Sequence, residues 1–426
     1  MSRTCFRAFG LLFSIIFLAL TCSGLAQNGL FADQPINMLA GQPVLSQSDE
    51  SCQPGDFLCG CSDVNDPTTC FKLELQNLNA DNYFQRQDEI TCDYSRRNPK
   101  NIICGVNDYR TVYFPQVDPA LTRDSTVGLI ESFDGGWTFQ STVFPGFAGD
   151  LNNPDPFSPA LPFESRADPA VRCGDYGNCY YAFLAFNHTN DTHSMMAVGH
   201  LVDFNNYQGA AFEIGSPRAP IKYIGTTAIV DSPENSFVDK EWLAVANATE
   251  SSQMSNISLT VPDPNDPDCV DPDSPSCGTM QLEHNVPCGN VYVGWANFKG
   301  EQSKATKIEL GVSRDCAATF SVQQLGDSPE TAQGVSIALD PNDQLPYVAW
   351  TEFNESGGGD RFILTRAKDP DGKSFSQAAV IGEFPPPSPA DLNDEGIDPT
   401  AREPFHLFTM PSTDIWDLDP FRQPRS

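Results

Sequence analysis

The stretch ESFDGGWTFQ, residues 131–140, limits the folds open to this chain more than any other. Asp134-Gly135-Gly136 supplies backbone positions that tolerate positive φ, and the flanking residues alternate as strand residues do, so the stretch reads as a tight β-hairpin. The pattern returns. GVSRDCAATFS at 311–321 keeps Ser313, Asp315, Thr319 and Phe320 at the same offsets, with Ala317 in the glycine position. TRAKDPDGKSFS at 365–376 keeps Asp369, Gly372, Ser374 and Phe375 with one residue inserted. In each copy the Asp carboxylate is placed to accept backbone N–H groups across the turn, and a hydroxyl residue is placed to close it. A repeated turn implies a repeated supersecondary unit, and a repeated unit defines the fold.

A second repeat precedes these turns. EITCDYSRRNPKNIICGVND, DPAVRCGDYGNCYYAFLAF, DKEWLAVAN with NVYVGWANF, and GVSIALDPNDQLPYVAWTEF each hold an apolar strand, a polar turn and a strand rich in Tyr, Val, Trp and Phe. An insert at 248–289 interrupts the third copy. The copies begin at Glu89, Asp168, Asp239 and Gly334, in steps of 79, 71 and 95 residues. Each step has room for about four strands, one propeller blade with its loops. The 29 phenylalanines, 31 glycines and 35 prolines, with no long helical periodicity, agree with many short strands. The expectation is an all-β propeller of four-stranded blades over 86–384. Four blades are explicit and 396–412 is a candidate start of a fifth; either residues 30–85 contribute strands to close the ring, or the chain is a shortened member of a six-bladed type.

The outer segments read differently. Residues 1–26 have Arg3 and Arg7, then the apolar LLFSIIFLAL and a small-residue Gly24-Leu25-Ala26 site, and are expected to be a signal peptide. No other segment is long and apolar enough for a membrane helix. Residues 27–85 form a Cys-rich N-terminal segment, and 385–426 a Pro-rich acidic C-terminal one. Of 14 cysteines, Cys5 and Cys22 leave with the leader, and the even remainder suits an oxidising compartment. Cys173 with Cys179 and Cys269 with Cys277 are expected as local pairs. Cys52, Cys59, Cys61, Cys70, Cys92 and Cys104 are expected to form their own bridged group. The net charge of −31 repels phosphate backbones and anionic membrane surfaces, so nucleic acid is not expected as a partner. Five N-x-S/T sequons stand at Asn187, Asn190, Asn247, Asn256 and Asn354.

The repeat sets Glu89, Asp168 and Asp239 just before successive inner strands, with Lys240 and Glu241 beside the third. If the blades are equivalent, the three carboxylates face one mouth of the axis. The functional reading is a glycosidase-like or cation-binding site: carboxylates in different environments can serve as acid and as base or nucleophile in sugar hydrolysis, so Glu89, Asp168, Asp239 and Glu241 are the candidate catalytic residues. The competing reading is that these acids bond backbone amides of the neighbouring blade and fix the packing. His188, Asp191 and His193 read as a polar loop rather than a metal site, and no cofactor is expected. The acidic loop with Asp263, Asp266, Asp268, Asp271 and Asp273 has oxygen ligands for calcium but no glycine-turn register, so a solvated loop is the stronger reading.

The turn at 132–139, the NPKNIICGVNDYR opening, Asp168-Pro169 and DKEWLAVAN at 239–247 together resemble the Asp-box (BNR-repeat) propellers of the sialidase superfamily, over roughly residues 85–380. The resemblance implies a secreted propeller acting on or recognising an extracellular glycan or glycoprotein. The alternative is a non-catalytic adhesion or protein-binding propeller. Sialidases hold the sialic-acid carboxylate with three arginines and show an R-[IV]-P element near the first blade. This chain has no such element, and the spacing of Arg110, Arg166 and Arg361 does not require a cluster. Tyr109, Tyr181 and Tyr292 are expected to pack within strands. No catalytic residue is therefore transferred from the family.

Overall fold

In the computed structural model, the described residues are 59–61, 70–72, 87–109, 125–146, 157–187, 193–205, 219–232, 236–249, 251–263, 278–299, 305–353 and 359–384. They form an all-β, four-blade propeller arrangement. The first blade is β3 (Gln87–Tyr94), β4 (Ile102–Asp108), β5 (Thr126–Ser132) and β6 (Gln140–Val143). The second is β7 (Ser165–Cys173), β8 (Asn178–Phe186), β9 (Ser194–Asp203) and β10 (Ile221–Ser232). The third is β11 (Ser236–Val245), β14 (Val291–Lys299), β15 (Ala305–Ser313) and β16 (Ser321–Ser328). The fourth is β17 (Ala332–Leu339), β18 (Pro346–Glu352), β19 (Asp360–Arg366) and β20 (Ala379–Phe384). Each is an antiparallel meander. A short hairpin, β1 (Cys59–Cys61) with β2 (Cys70–Lys72), precedes the blades. The insert in the third blade folds as its own hairpin, β12 (Met254–Pro262) with β13 (Thr279–Pro287).

Side-chain alternation explains how the blades stack. A strand covered on both faces must be apolar at every position. In β8, Tyr181, Phe183 and Ala185 enter the core shared with the first blade, beside Ile103, Val127 and Leu129. Tyr180, Ala182 and Leu184 enter the core shared with the third, beside Val238, Val293 and Trp295. In β14, Tyr292 and Ala296 turn the other way, toward Ile337, Val348 and Trp350 of the fourth blade. The three tyrosines fare differently. Tyr181 packs as a buried strand residue and donates to the Gly128 carbonyl at 2.6 Å. Tyr292 is buried and donates to the Pro370 carbonyl at 3.0 Å. Tyr109 lies one residue past the end of β4.

The recurring turns join the third and fourth strands of the first, third and fourth blades. In the first, Asp134 accepts from the Thr138 amide at 2.9 Å and the Thr138 hydroxyl at 2.7 Å, and Ser132 Oγ accepts from the Gly136 amide at 2.8 Å. In the third, Asp315 accepts from the Thr319 amide at 2.9 Å and hydroxyl at 2.6 Å, and Ser313 Oγ accepts from the Ala317 amide at 3.0 Å. In the fourth, Asp369 accepts from the Lys373 and Ser374 amides at 3.0 and 2.9 Å. Gly135 and Gly136 take φ of 84° and 91°, and Cys316 and Ala317 take 61° and 64° at the same places.

Three disulfides are present among the described residues. Cys173–Cys179 bridges β7 and β8, as the spacing suggests. Cys92–Cys104 bridges β3 and β4, which removes both from the expected N-terminal group and makes them a blade staple. Cys288–Cys316 ties the end of the insert to the outer turn of the third blade. Cys61 stands opposite Cys70 in the β1–β2 register. Cys52, Cys269 and Cys277 lie outside the described residues, as do His188, Asp191, Asp266, Asp268, Asp271, Asp273, Asn190, Asn354 and Arg110. So do the residues proposed to begin a fifth blade. Among the described residues, no helix is long and apolar enough to cross a membrane.

Candidate functional site

Every innermost strand carries the same irregularity. Between Asp88 and Thr91, Ala167 and Ala170, Asp239 and Trp242, and Gln333 and Ser336, two residues face one on the partner strand. The first residue of each bulge is left-handed: Glu89 at φ 54°, Asp168 at 55°, Lys240 at 51° and Gly334 at 72°. This is the bulge type that glycine occupies without strain. Only the fourth blade uses glycine. The other three place a charged residue there, at a cost of about 1–2 kcal/mol each.

The bulges correct one expectation. The counterpart of Glu89 and Asp168 is Lys240, not Asp239, which sits one residue earlier. A one-residue shift in a strand moves a side chain to the other face. The first three equivalent positions therefore present acid, acid and base, and these meet. Lys240 Nζ lies 2.7 Å from Glu89 Oε2 and 3.0 Å from Asp168 Oδ2. The third blade thus reaches residues of the first and second, 151 positions away in the case of Glu89. The remaining blade joins through Gln333, whose Nε2 donates to Asp239 Oδ2 at 2.7 Å. Asn107 of β4 brackets Asp168, donating to Oδ1 at 3.2 Å and accepting from the Asp168 amide at 2.6 Å.

The carboxyl groups differ in environment. Burial and the hydrogen bond and charge of Asp168 push Glu89 up to about 7, against the pull of Lys240. Burial also opposes charge on Asp168, but hydrogen bonding with Glu89, the Lys240 ammonium and the Asn107 amide outweigh it and hold Asp168 below its ordinary value. Asp239 is raised to about 7 by burial and by the charge of Asp168. Glu241 is 6% exposed, neither carboxyl oxygen has a partner among the described residues, and burial followed by the charge of Asp168 drives it well above the ordinary value. Burial opposes the Lys240 ammonium, but Asp168 and Glu89 raise its pKa and keep it charged. Within one cluster, therefore, the surroundings favour the ionised form of Asp168 and the ammonium of Lys240, and the protonated forms of Glu89, Asp239 and Glu241.

Packing across the blades falls to other residues. Thr91 Oγ1 donates to the Pro169 carbonyl and accepts from the Val171 amide, and Asp93 accepts from the Cys173 amide. Ser194 Oγ accepts from the Val238 amide, and Thr306 Oγ1 from the Ala332 amide. None of the carboxylates of Glu89, Asp168 or Asp239 takes a backbone amide from a neighbouring blade among the described residues. Sequence reasoning missed Asn107 and Gln333, which lie inside ordinary-looking strands, and it gave Lys240 no role.

Of the arginines named from the sequence, Arg166 and Arg361 are described, and each has partners elsewhere. Arg166 is buried and donates to the carbonyls of Gly146 and Ala160, and Arg361 pairs with Glu352 at 2.7 Å. Among the described residues no arginine pairs with the cluster. His193 instead pairs with Asp231. No group of three or more His, Cys, Asp or Glu residues suited to a metal ion is found among the described residues. The fold and cluster define the chain as an all-β propeller with a charged centre built from its innermost strands. Comparison with protein-family models gives no match, and comparison with curated proteins gives none either.

Proposed function

We propose that this chain is an exported, sialidase-like propeller that recognises an extracellular glycan at the cluster of Glu89, Asp168, Asp239 and Lys240. One observation carries the reading: three blades accept a left-handed, non-glycine residue at equivalent bulges, and all three side chains are charged and converge. Strain kept at repeated positions marks geometry that is used. The Asp-bearing turns at 132–139, 313–320 and 369–375 support the family likeness. The three disulfides and the leader-like residues 1–26 support export. A hydroxyl-rich, uncharged sugar suits a centre of carboxyl groups, amides and one ammonium. A sialic-acid carboxylate would face Asp168, and among the described residues no arginine is paired with the cluster to balance it.

The same geometry favours recognition over hydrolysis. Lys240 Nζ bridges the Glu89 and Asp168 carboxyl groups, at 2.7 and 3.0 Å. Retaining glycosidases separate their carboxyl pair by about 5 Å, and inverting ones by more, so that a sugar or water fits between. Hydrolysis here would need Lys240 to withdraw from between the two carboxyl groups. A panel of immobilised glycans and fluorogenic glycosides, with Asp168→Asn, Asp239→Asn and Lys240→Met, tests the proposal. Binding to an uncharged glycan that weakens at least tenfold in all three variants is expected. Turnover lost in Asp168→Asn and Asp239→Asn would assign hydrolysis as well. Binding to no glycan, with the protein folded, would overturn the reading and leave the adhesion alternative.

A further inference from the structure

A polar cleft lies apart from the charged cluster, lined by residues of the third and fourth blades. Its volume is about 740 Å³, and Asn247, Asn290, Tyr292, Arg314, Phe320 and Gln344 are among the residues lining it. That size suits a compact organic ligand. Its walls are already fixed. Asn290 Nδ2 and Tyr292 Oη donate to the Pro370 carbonyl at 2.9 and 3.0 Å, Arg314 pairs with Asp371 at 2.6 Å, and the Asn247 amide donates to Gln344 Oε1 at 3.1 Å. The half-buried Phe320 ring beside amides, hydroxyls and a guanidinium forms a surface suited to a sugar, whose C–H face can rest on that ring and whose hydroxyls bond the polar groups.

Asn247 begins the sequon Asn247-Ala248-Thr249 and is exposed where it lines the cleft. Its side-chain amide has no hydrogen-bond partner among the described residues. The sequon at Asn256 is placed differently. Asn256 is exposed on β12, opposite Asn285, and does not line the cleft. Asn187 differs again, because its Oδ1 accepts from the Glu164 amide at 3.0 Å.

We propose that Asn247 is an N-glycosylation site and that the first sugars of its glycan lie in this cleft. The donor is a lipid-linked pyrophosphoryl oligosaccharide. The side-chain nitrogen of Asn247, Nδ2, forms a bond to the anomeric carbon and loses a proton. The bond from that carbon to the pyrophosphate oxygen breaks, and the lipid pyrophosphate leaves with the electron pair. No oxidation or reduction occurs. The inference rests on the export reading, because the donor is met only on the secretory route.

The test is expression of the full chain in a eukaryotic secretory host, once with residues 1–26 and once with a host leader in their place. Peptide mass mapping follows, and then timed digestion with peptide:N-glycanase before and after denaturation. The expected result is an occupied Asn247, lost in Thr249→Ala, whose glycan is released at least tenfold more slowly from the native than from the denatured protein. Any glycan at Asn256 should be released at similar rates from both. An unoccupied Asn247 in exported, folded protein would overturn the proposal, as would equal release rates at Asn247. Retention of the chain bearing its own first 26 residues, with export under the host leader, would count against the export reading alone, and the leader-swapped chain would still decide the fate of Asn247.

Discussion

Asp239 shows how a buried carboxyl here shapes the response to pH. Its folded pKa, about 7, stands above the ordinary 3.8. The folded state therefore favours the protonated form, and the stability this gives is complete below about pH 4 and lost as pH rises through 7. Glu89 acts in the same direction from 4.5 to about 7. Asp168, whose pKa is lowered, acts in the opposite one: its contribution is present above 3.8 and lost as pH falls. Asp239→Asn keeps an acceptor for Gln333 and removes one titration. Melting temperature measured from pH 4.5 to 8 should fall less in the variant than in the parent, and parallel curves would contradict the assignment. At this scale Glu89 and Asp168 were legible because each opens a copy of the sequence repeat, although the structure sets both within their strands, at the bulges. Lys240 was not, because aligning acid with acid set the third copy one residue out of phase, and only the bulge geometry fixes the phase.

The outer turns and staples are the elements that hold each blade. Asp134 collects the Ser132 and Thr138 hydroxyls and the Trp137 and Thr138 amides around one carboxylate. Hydrogen bonds to a charged group contribute roughly 1.5–3 kcal/mol where they are well formed. On this exposed turn Asp134→Ala should cost about 1–2 kcal/mol in a urea melt with an unchanged slope. A change below the error of the fit would reduce the carboxylate to an ornament of the loop. The third blade manages the same turn without glycine, with Cys316 and Ala317 left-handed and Cys316 tied to Cys288. The staples rank by loop length. Closing 28 residues with Cys288–Cys316 should contribute roughly 3.5 kcal/mol, against roughly 2 kcal/mol for the six residues of Cys173–Cys179. Paired Cys→Ala variants compared by chemical denaturation check the order, and the reverse order would show that strain or denatured-state structure outweighs loop closure. The turns and Cys173–Cys179 were readable because they are local. Cys92–Cys104 was read as part of an N-terminal knot because six cysteines in sequence give no connectivity, and Cys288–Cys316 joins an insert to a turn that sequence spacing does not relate.

For the molecule as a whole, the central claim is that successive blades place their innermost strands together, so that residues far apart in sequence share one site. The alternation in β8 and β14 makes this stacking physically sound: each strand divides its side chains between two neighbouring blades. Four blades were countable from the apolar strand pairs, since each pair repeats within one blade. The site was only half countable, because register at a bulge is set by backbone conformation and not by residue type. Carbodiimide coupling of the native protein, followed by mass mapping of linked peptides, tests the claim most directly, since it joins an amine to a carboxylate in contact. The account predicts an amide between Lys240 and Glu89 or Asp168, absent when the protein is denatured first. Coupling of Lys240 only to carboxylates elsewhere, or to none while other native ion pairs are joined, would contradict it.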